Sequence, residues 1–398
     1  MPFDSLKYPR FLEEVARSID IPPSKYQDAV DRYQAVGKWL EAGQYPGCSG
    51  ELKIYPQGSF RLGTVVRPIR NGIEACYDID LVSEFPLNKA QTDPGTVKGM
   101  AGRRLQEHET YRKMLDEEGR RCWTLEYAEQ DGVGFHLDVL PAVPDPRHAL
   151  STAIAITNRN GRTYTWSASD PQGYGLWFDG KNAAAFQREV FTQKRLILED
   201  ARRLYASVDD VPDQLVRTPL QRAIQLEKRH RDMMFNEPSN FMYAPISVII
   251  TTLSAHLYQN ETDVYSALSG IVIRLNAHAG LLEGRAIDPG IAAAGLIRRT
   301  PDGGWYIGNP INPAENFADR WHEDNHARAK AFFSWVGALR DDLVNLPNYA
   351  GRVNLKERLA GALGAVPVSE SIDIIVPPEP AIVAPRIHIS SPAKPWKA

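Results

Sequence analysis

The chain has 398 residues, of which 43% are hydrophobic and 24% are charged, and its formal net charge is −3. This length is enough for two lobes with a sizeable core, and the composition is ordinary for a folded globular protein. The nearly neutral charge gives no general attraction to a polyanion. It therefore disfavours a processive polymerase of long RNA, although it leaves room for a local basic groove.

The cysteines and the apolar stretches both favour a cytoplasmic protein. Cys48, Cys76 and Cys122 lack the spacing of a metal site and are typical of free thiols in a reducing compartment. Residues 1–10 are not followed by the apolar run of a signal peptide, and the longest apolar stretch, residues 246–257, is too short to span a bilayer. We therefore expect no membrane partner.

The first clear element is an amphipathic helix over residues 24–40, whose apolar residues fall at helical spacing. A strand is predicted over residues 52–55, and a turn that contains Gln57, Gly58 and Ser59 comes after it. Glycine lets the backbone approach a ligand closely, and the free N–H groups of such a turn, with the serine hydroxyl, can hold an anion. A Gly-Ser turn by itself is usually only a turn, so a functional role requires further polar residues nearby in the sequence.

A short strand of alternating character over residues 77–82 carries two acids that are separated by one isoleucine. Residues two apart on a strand point to the same face, so Asp78 and Asp80 would project side by side. Two carboxylates this close raise each other's pKa, and a cation between them relieves the repulsion. Hard oxygen ligands that leave room for water and phosphate suit Mg²⁺.

A third acid is predicted on a neighbouring strand. Residues 100–115 are helical in character, and the apolar segment 135–141 predicts a buried strand with Asp138 in its middle. Solvent exposure of Asp138 at a strand end is disfavoured, because a buried strand leaves an unpaired carboxylate at a high energetic cost. A metal ion held by Asp78, Asp80 and Asp138 would satisfy it.

The second half of the chain is mainly helical in pattern. Residues 150–180, rich in glycine and aromatic residues, predict a loop-rich crossing between two lobes, with the aromatic side chains packed between the lobes rather than lining a cleft. Thr218 followed by Pro219 predicts the start of a helix. Residues 228–231 on that helix form a solvated basic face, or else Lys228 leans into a cleft and neutralises phosphate. Residues 246–258 predict a buried helix, although their β-branched side chains leave a strand open.

Two later segments are interpreted as structural. In residues 309–316 we expect a helix start, with Asn312 as the cap, Pro313 at the first helical position and Glu315 at the third, in preference to a catalytic role. Residues 367–398 carry many prolines and little helical periodicity, and they predict an extended tail.

The order Gly-Ser, Asp-x-Asp and a distant third Asp resembles the DNA polymerase β-like nucleotidyltransferases. Within that superfamily the chain is most similar to the bacterial cGAS/DncV-like nucleotidyltransferases (CD-NTases), which make cyclic oligonucleotide second messengers in anti-phage defence (CBASS). The similarity extends over residues 26–321. Four stretches carry the closer match: residues 57–67, 220–232, 245–253 and 309–316.

The resemblance implies an α+β fold in which a polymerase β-like catalytic lobe, with a mixed sheet and a long spine helix, occupies residues 1–180. A helical lobe over residues 181–366 would close the nucleotide cleft, and residues 367–398 would form the tail. It also implies template-independent transfer that makes a cyclic di- or trinucleotide from NTPs, ATP among them. Two Mg²⁺ ions, or Mn²⁺ in their place, would lie about 3.5–4 Å apart.

Site residues are implied by the same resemblance. It assigns catalysis and metal binding to Asp78, Asp80 and Asp138, and nucleotide binding to Gln57, Gly58, Ser59, Lys228 and Ser247. Lys228 and Ser247 would hold the far end of the triphosphate, the serine from the first turn of its helix. Implied partners are an effector that senses the product and an E1/E2-like ligase that acts on Ala398.

Three alternatives remain beside this hypothesis. The first is another polymerase β-like nucleotidyltransferase, acting on RNA, a small molecule or a protein, which the nearly neutral charge and the later motifs disfavour. The second is a catalytically silent nucleotide-binding module, which the presence of all three acids disfavours. The third is an unrelated α/β scaffold with coincident acids, which the combination of motifs makes remote.

Overall fold

Strands are concentrated in the first half of the chain. The computed structural model describes residues 7–70, 72–130, 133–145, 152–345 and 352–375. Within these ranges the strands are β1 (Lys53–Gln57), β2 (Ile69–Arg70), β3 (Ile73–Glu74), β4 (Tyr77–Glu84), β5 (Trp123–Gln130), β6 (Val133–Pro144), β7 (Ile154–Asn160), β8 (Thr163–Ser169), β9 (Arg298–Arg299) and β10 (Trp305–Tyr306).

Helices flank the strands and make up most of the second half. In the described ranges they are α1 (Tyr8–Ser18), α2 (Pro23–Glu41), α3 (Gly58–Leu62), α4 (Pro94–Glu107), α5 (Glu109–Met114), α6 (Pro171–Asp200), α7 (Pro219–Met234), α8 (Ser247–Leu257), α9 (Val264–Asn276), α10 (Pro289–Ala294), α11 (Ala327–Leu339), α12 (Arg352–Leu363) and α13 (Ala365–Ile375). None of these helices is both long and apolar enough to cross a bilayer.

The main sheet is mixed, and its strand order is β1-β4-β6-β7-β8, with β5 also paired to β6. The β4–β6 pair is parallel, and the other pairs of this sheet are antiparallel. One face packs on α2 and α4 through buried residues such as Leu40, Leu81 and Leu137. The resulting α+β architecture is the predicted fold class.

Several predicted elements are confirmed. The helix over residues 24–40 is α2, the strands over residues 52–55 and 77–82 are β1 and β4, and the strand over residues 135–141 lies within β6. Residues 246–258 form a helix, α8, rather than a strand. The start of α7 carries the expected cap, because the Thr218 hydroxyl accepts from the Gln221 N–H at 3.2 Å.

The prediction of a loop-rich crossing over residues 150–180 is wrong. β7 and β8 form a hairpin that turns at Gly161, whose φ of +61° favours glycine. The long helix α6 then begins at Pro171, where the Asp170 side chain caps it by accepting from the Gly173 N–H at 2.9 Å. Glycine and proline here mark a hairpin turn and a helix start, and the predicted boundary at residue 180 falls inside α6.

The helix start predicted for residues 309–316 is also wrong, since the next helix, α11, begins only at Ala327. Instead Asn309 organises a turn. Its Oδ1 accepts from the Ile311 and Asn312 N–H groups at 2.9 and 3.3 Å, and its Nδ2 donates to Glu315 at 2.9 Å. The segment remains structural, but an asparagine turn replaces the helix cap.

Both ends of the described chain pack on the helical core. α1 contributes Phe11, Leu12 and Val15 to that core rather than to the sheet. Residues 365–375, most of which belong to the predicted extended tail, form α13, whose Val368 is fully buried. The tail prediction is therefore wrong for residues 367–375, and residues 376–398 lie outside the described ranges.

Candidate active site

The three predicted acids lie on neighbouring parallel strands. In the β4–β6 ladder Asp80 stands opposite Asp138, and Asp78 stands opposite His136. Ile79, between the two β4 acids, is buried on the other face of the sheet. The alternation of the strand therefore places all three carboxylates on one face, as predicted.

Electrostatic repulsion is concentrated at Asp80. Burial, followed by the charges of Asp138 and Asp78, raises the pKa of Asp80 to about 7. Burial also raises the pKa of Asp138, although hydrogen bonds from Thr124 and Cys122 oppose that rise. The repulsion predicted from the Asp-x-Asp pattern is therefore present, and it includes the third acid.

Asp78 is more exposed and has a different partner. His136 Nδ1 lies 3.6 Å from Asp78 Oδ1, and the contact with this carboxylate raises the pKa of the imidazole. His136 was not identified from the sequence. Its place in β6, two residues before Asp138, is a signal that would have found it, because both residues share a face.

The donor chemistry of these side chains fits a hard divalent cation. Asp80 and Asp138 are partly buried oxygen ligands on adjacent strands, and their repulsion is the situation that a cation relieves. Nowhere in the described ranges do three or more His, Cys, Asp or Glu side chains already form a metal cluster. Asp78 directs Oδ1 toward His136 in this arrangement, which is not yet a three-acid ligand set.

The Gly-Ser turn lies directly against Asp80. Gln57, the last residue of β1, pairs with Asp80 across the β1–β4 ladder, and α3 begins at the next residue. Gly58 has a φ of +63°, and a Cβ there would overlap the Asp80 carboxylate. Ser59 is thus held in the first turn of α3 beside the acids, and glycine at position 58 is required by both the backbone and the space.

Lys228 and Ser247 do not meet in the structure. Lys228 is buried, its Nζ donates to Thr64 O at 2.9 Å and to Thr64 Oγ1 at 3.0 Å, and burial lowers its pKa to about 7. Ser247 instead accepts from Arg231 Nη1 at 3.1 Å. Arg231, one helical turn after Lys228, is thus the cation of this helix that contacts Ser247.

Two side chains at the beginning of β5 lie beside Asp138, and the sequence pattern did not predict them. Thr124 stands opposite Asp138 in the β5–β6 ladder, and its hydroxyl donates to Asp138 Oδ1 at 2.6 Å. The Cys122 thiol, one residue before the start of β5, lies 3.8 Å from Thr124 Oγ1 and lowers the pKa of this carboxyl. The beginning of β5 is thus the segment that orients the third acid.

Comparison with known proteins supports the family that the motifs predict. A family model described as the nucleotidyltransferase domain of cyclic GMP-AMP synthase DncV-like proteins matches residues 52–141, the segment that carries the turn and all three acids. A c-di-GMP synthase of Roseivirga ehrenbergii is 29% identical over 365 residues, which cover 91% of this chain and 85% of that protein. The predicted resemblance to the CD-NTases is therefore confirmed.

A second relative agrees in sequence, and two solved structures agree in fold. The cyclic dinucleotide synthase CdnG of Bradyrhizobium diazoefficiens is 26% identical over 328 residues, covering 78% of this chain and 70% of that protein. The structure of CdnG from that organism in complex with GTP has a TM-score of 0.69 at 22% identity, covering 92% and 98% of the two chains. The 3′-deoxy GTP-bound form of Escherichia coli DncV has a TM-score of 0.50 at 15% identity, covering 92% and 87%. The protein is a nucleotidyltransferase, as its motifs predict.

Proposed function

We propose that this CD-NTase joins two NTPs into a cyclic dinucleotide, with GTP among its substrates. The observation that carries the proposal is the register of Asp80 against Asp138 beside the Gly58–Ser59 turn. The names of the two curated relatives, a c-di-GMP synthase and a cyclic dinucleotide synthase, support the product class, and the GTP complex of CdnG supports the substrate.

The reaction has two similar steps. In each, a ribose hydroxyl attacks the α-phosphate of a triphosphate, a new P–O bond forms, and pyrophosphate leaves as the hydroxyl loses its proton. The second attack, within the linear intermediate, closes the ring. Chemistry of this kind depends on positioning and on neutralising phosphate charge rather than on covalent groups of the protein.

Each side chain has a proposed role in that positioning. Gln57, Gly58 and Ser59 would receive the donor phosphates. Arg231 and Ser247 would hold the distal end of the triphosphate. Arg231 thus takes the role that the sequence analysis predicts for Lys228. Asp78, Asp80 and Asp138 would hold divalent cations, Mg²⁺ or Mn²⁺, whose charge neutralises the phosphates and lowers the pKa of the attacking hydroxyl.

The wider role rests on family resemblance. We propose that the product is a second messenger in anti-phage defence that activates a separate effector. Ala398, proposed as the site of a ligase, lies outside the described residues, so this part of the proposal depends on the sequence alone.

The direct test incubates the purified protein with each labelled NTP, singly and in pairs, in the presence of Mg²⁺. A small, phosphatase-resistant product whose mass equals that of two NTPs less two pyrophosphates would support the proposal. A ladder of elongated RNA, or a label transferred to another acceptor, would overturn it in favour of a different nucleotidyltransferase. The variant with Asp78→Asn and Asp80→Asn serves as the blank.

A further inference from the structure

Three side chains of α7 contact the backbone at the end of α3 and just beyond it. Gln221 Nε2 donates to Leu62 O at 2.8 Å, Gln225 Nε2 donates to Val65 O at 2.9 Å, and Lys228 Nζ donates to Thr64 O at 2.9 Å. Spacings of four and three residues place these donors on one side of the helix. Residues 62–65 are buried, so their carbonyl groups depend on these partners.

Gln221 is fixed from both ends of its amide. Its Oε1 accepts from the Thr218 N–H at 2.8 Å, which completes the capping box of α7, while its Nε2 reaches Leu62 O. Gln225 is fixed in the same way, because its Oε1 accepts from Arg222 Nη1 at 3.1 Å and its Nε2 also reaches Asp20 Oδ1 at 2.9 Å. Neither amide is free to turn away from its carbonyl.

The backbone of residues 62–65 leaves room for the Gln221 amide to come close. Gly63 has a φ of +64°, and a Cβ there would lie 2.5 Å from Gln221 Nε2. The same segment is tied back to the site, since the Thr64 N–H donates to Ser59 O at 3.0 Å. A shift of residues 62–65 would therefore be transmitted to Ser59.

We infer that Gln221, Gln225 and Lys228 form a clasp through which the helical core positions the phosphate-binding turn. These are positioning residues, because none of them needs to touch the substrate for the clasp to act. The inference rests on the proposed function, in which Gly58 and Ser59 receive the donor phosphates. It also gives the buried Lys228 a role that does not require its ammonium group to face the cleft.

The discriminating variant is Gln221→Glu. A carboxylate keeps the acceptor for the Thr218 N–H, so the cap of α7 survives, but it lacks the donor for Leu62 O and places a charge against that carbonyl. The matched control is Gln193→Glu on α6. The Gln193 amide is also bonded at both ends, accepting from Arg217 N at 2.9 Å and donating to Arg217 O at 2.6 Å, but it does not bond to residues 62–65.

Two measurements on the full-length protein are compared. Hydrogen exchange of the amides of residues 58–65 should become faster in Gln221→Glu and stay at the wild-type rate in Gln193→Glu. The kcat/KM for GTP should fall about tenfold, mainly through KM, in Gln221→Glu only, because a buried carbonyl loses its donor. If Gln221→Glu does not fold, Gln221→Met removes the donor without adding charge.

The two proposals fail in different ways. A wild-type protein that makes no cyclic product would overturn the proposed function, while the exchange experiment would still test the clasp. A wild-type protein that is active, together with a Gln221→Glu variant that matches Gln193→Glu in both exchange and KM, would overturn the clasp. Equal losses in the two variants would have the same meaning, since they would reflect general destabilisation.

Discussion

At Asp80 the fold destabilises the charged carboxylate that metal binding would require. The fold places this carboxylate partly inside the sheet and opposite Asp138, which raises its pKa to about 7. A carboxyl that titrates near neutral pH is poorly stabilised as an anion when no cation is bound. The same arrangement makes the site favourable for any cation that brings two positive charges.

We predict that Asp78→Asn combined with Asp80→Asn abolishes synthesis without unfolding the protein. The amides keep the size of the carboxylates but lose the charge that would hold the cation, while the repulsion with Asp138 disappears. Product formation by mass spectrometry and the melting temperature are measured on the same sample. Retention of synthesis by this variant would contradict the assignment of the acids.

The pH dependence of stability gives a second prediction at Asp80. Because its folded pKa, about 7, lies above the ordinary value of 3.8, the folded state binds the proton more tightly than the unfolded state does. The contribution of Asp80 to stability is therefore complete below about pH 4 and is lost as the pH rises through 7. Asp80→Asn should raise the melting temperature in EDTA, and the gain should be larger at about pH 8 than at about pH 5.

The control for this titration is Asp319→Asn, which makes the same change at an exposed position. Its effect on the melting temperature should be small at both pH values. A gain for Asp80→Asn that is the same under the acidic and the basic condition would contradict the raised pKa.

The residue pattern alone predicts where the three acidic side chains lie, but it does not predict where the cationic side chains lie. The period of a strand fixes the face of Asp78 and Asp80, and the apolar neighbours of Asp138 place it in a buried strand. By contrast, the side chains of Lys228 and Arg231 are long enough to reach either the cleft or nearby backbone. Their choice depends on where Thr64 and Ser247 lie, which only the packed structure determines.

Strand β5, which among the described strands pairs with β6 alone, supports the orientation of the third acid. Thr124 in this strand donates a hydrogen bond to Asp138 on the neighbouring strand, and Cys122 just before the strand contacts the Thr124 hydroxyl. Partners of this kind fix the orientation of a ligating carboxylate, and their loss typically costs about 10- to 100-fold in activity or metal affinity.

We predict that Thr124→Val lowers kcat about tenfold while the melting temperature stays close to that of the wild type. Valine keeps the shape of threonine and suits a strand, but it cannot donate to Asp138 Oδ1. Thr124→Ser keeps the hydroxyl and should recover most of the activity. The readouts are kcat and the Mg²⁺ concentration for half-maximal activity; identical values for the valine and serine variants would argue against an orienting hydroxyl.

Element boundaries were harder to predict where one residue type has several uses. The glycines of residues 150–180 suggested loops, but Gly161 turns a hairpin and Gly175 lies inside α6 against the Arg61 guanidinium. Asn312 and Pro313 suggested a helix, yet Asn309 forms the hydrogen bonds that make the segment a turn. In both segments the local sequence indicates that the chain changes direction. Whether it does so through a loop, a hairpin, a turn or a helix start depends on tertiary contacts.

At the scale of the molecule, the described ends of the chain are part of the core rather than appendages. α13 packs on α1 and α12, and its Val368, Ile372 and Ile375 join the main helical cluster. Proline and low periodicity led to the prediction of a tail there. Burial against α1, from the opposite end of the sequence, overrides that local tendency.

This packing predicts different outcomes for two neighbouring valines of α13. Val368→Ala should lower the free energy of unfolding by about 1.5–3 kcal/mol, because Val368 is fully buried and a cavity would remain. Val366→Ala, at a side chain that is 66% exposed, should change it by less than about 0.5 kcal/mol. Urea denaturation measures both, and equal effects would mean that α13 does not dock.

The parallel register of β4 and β6 determines where this protein tolerates changes of length. The strands are separated in sequence by α4, α5 and β5, so residues added in the exposed turn at 116–117 would leave the strand pairing intact. One residue added inside β6 before Asp138 would carry that carboxylate to the opposite face of the sheet, among the side chains packed on α2 and α4. We therefore expect insertions to be tolerated after Glu117, beyond the Asp116 N–H that donates to Thr124 O at 3.0 Å, and not within the ladder itself.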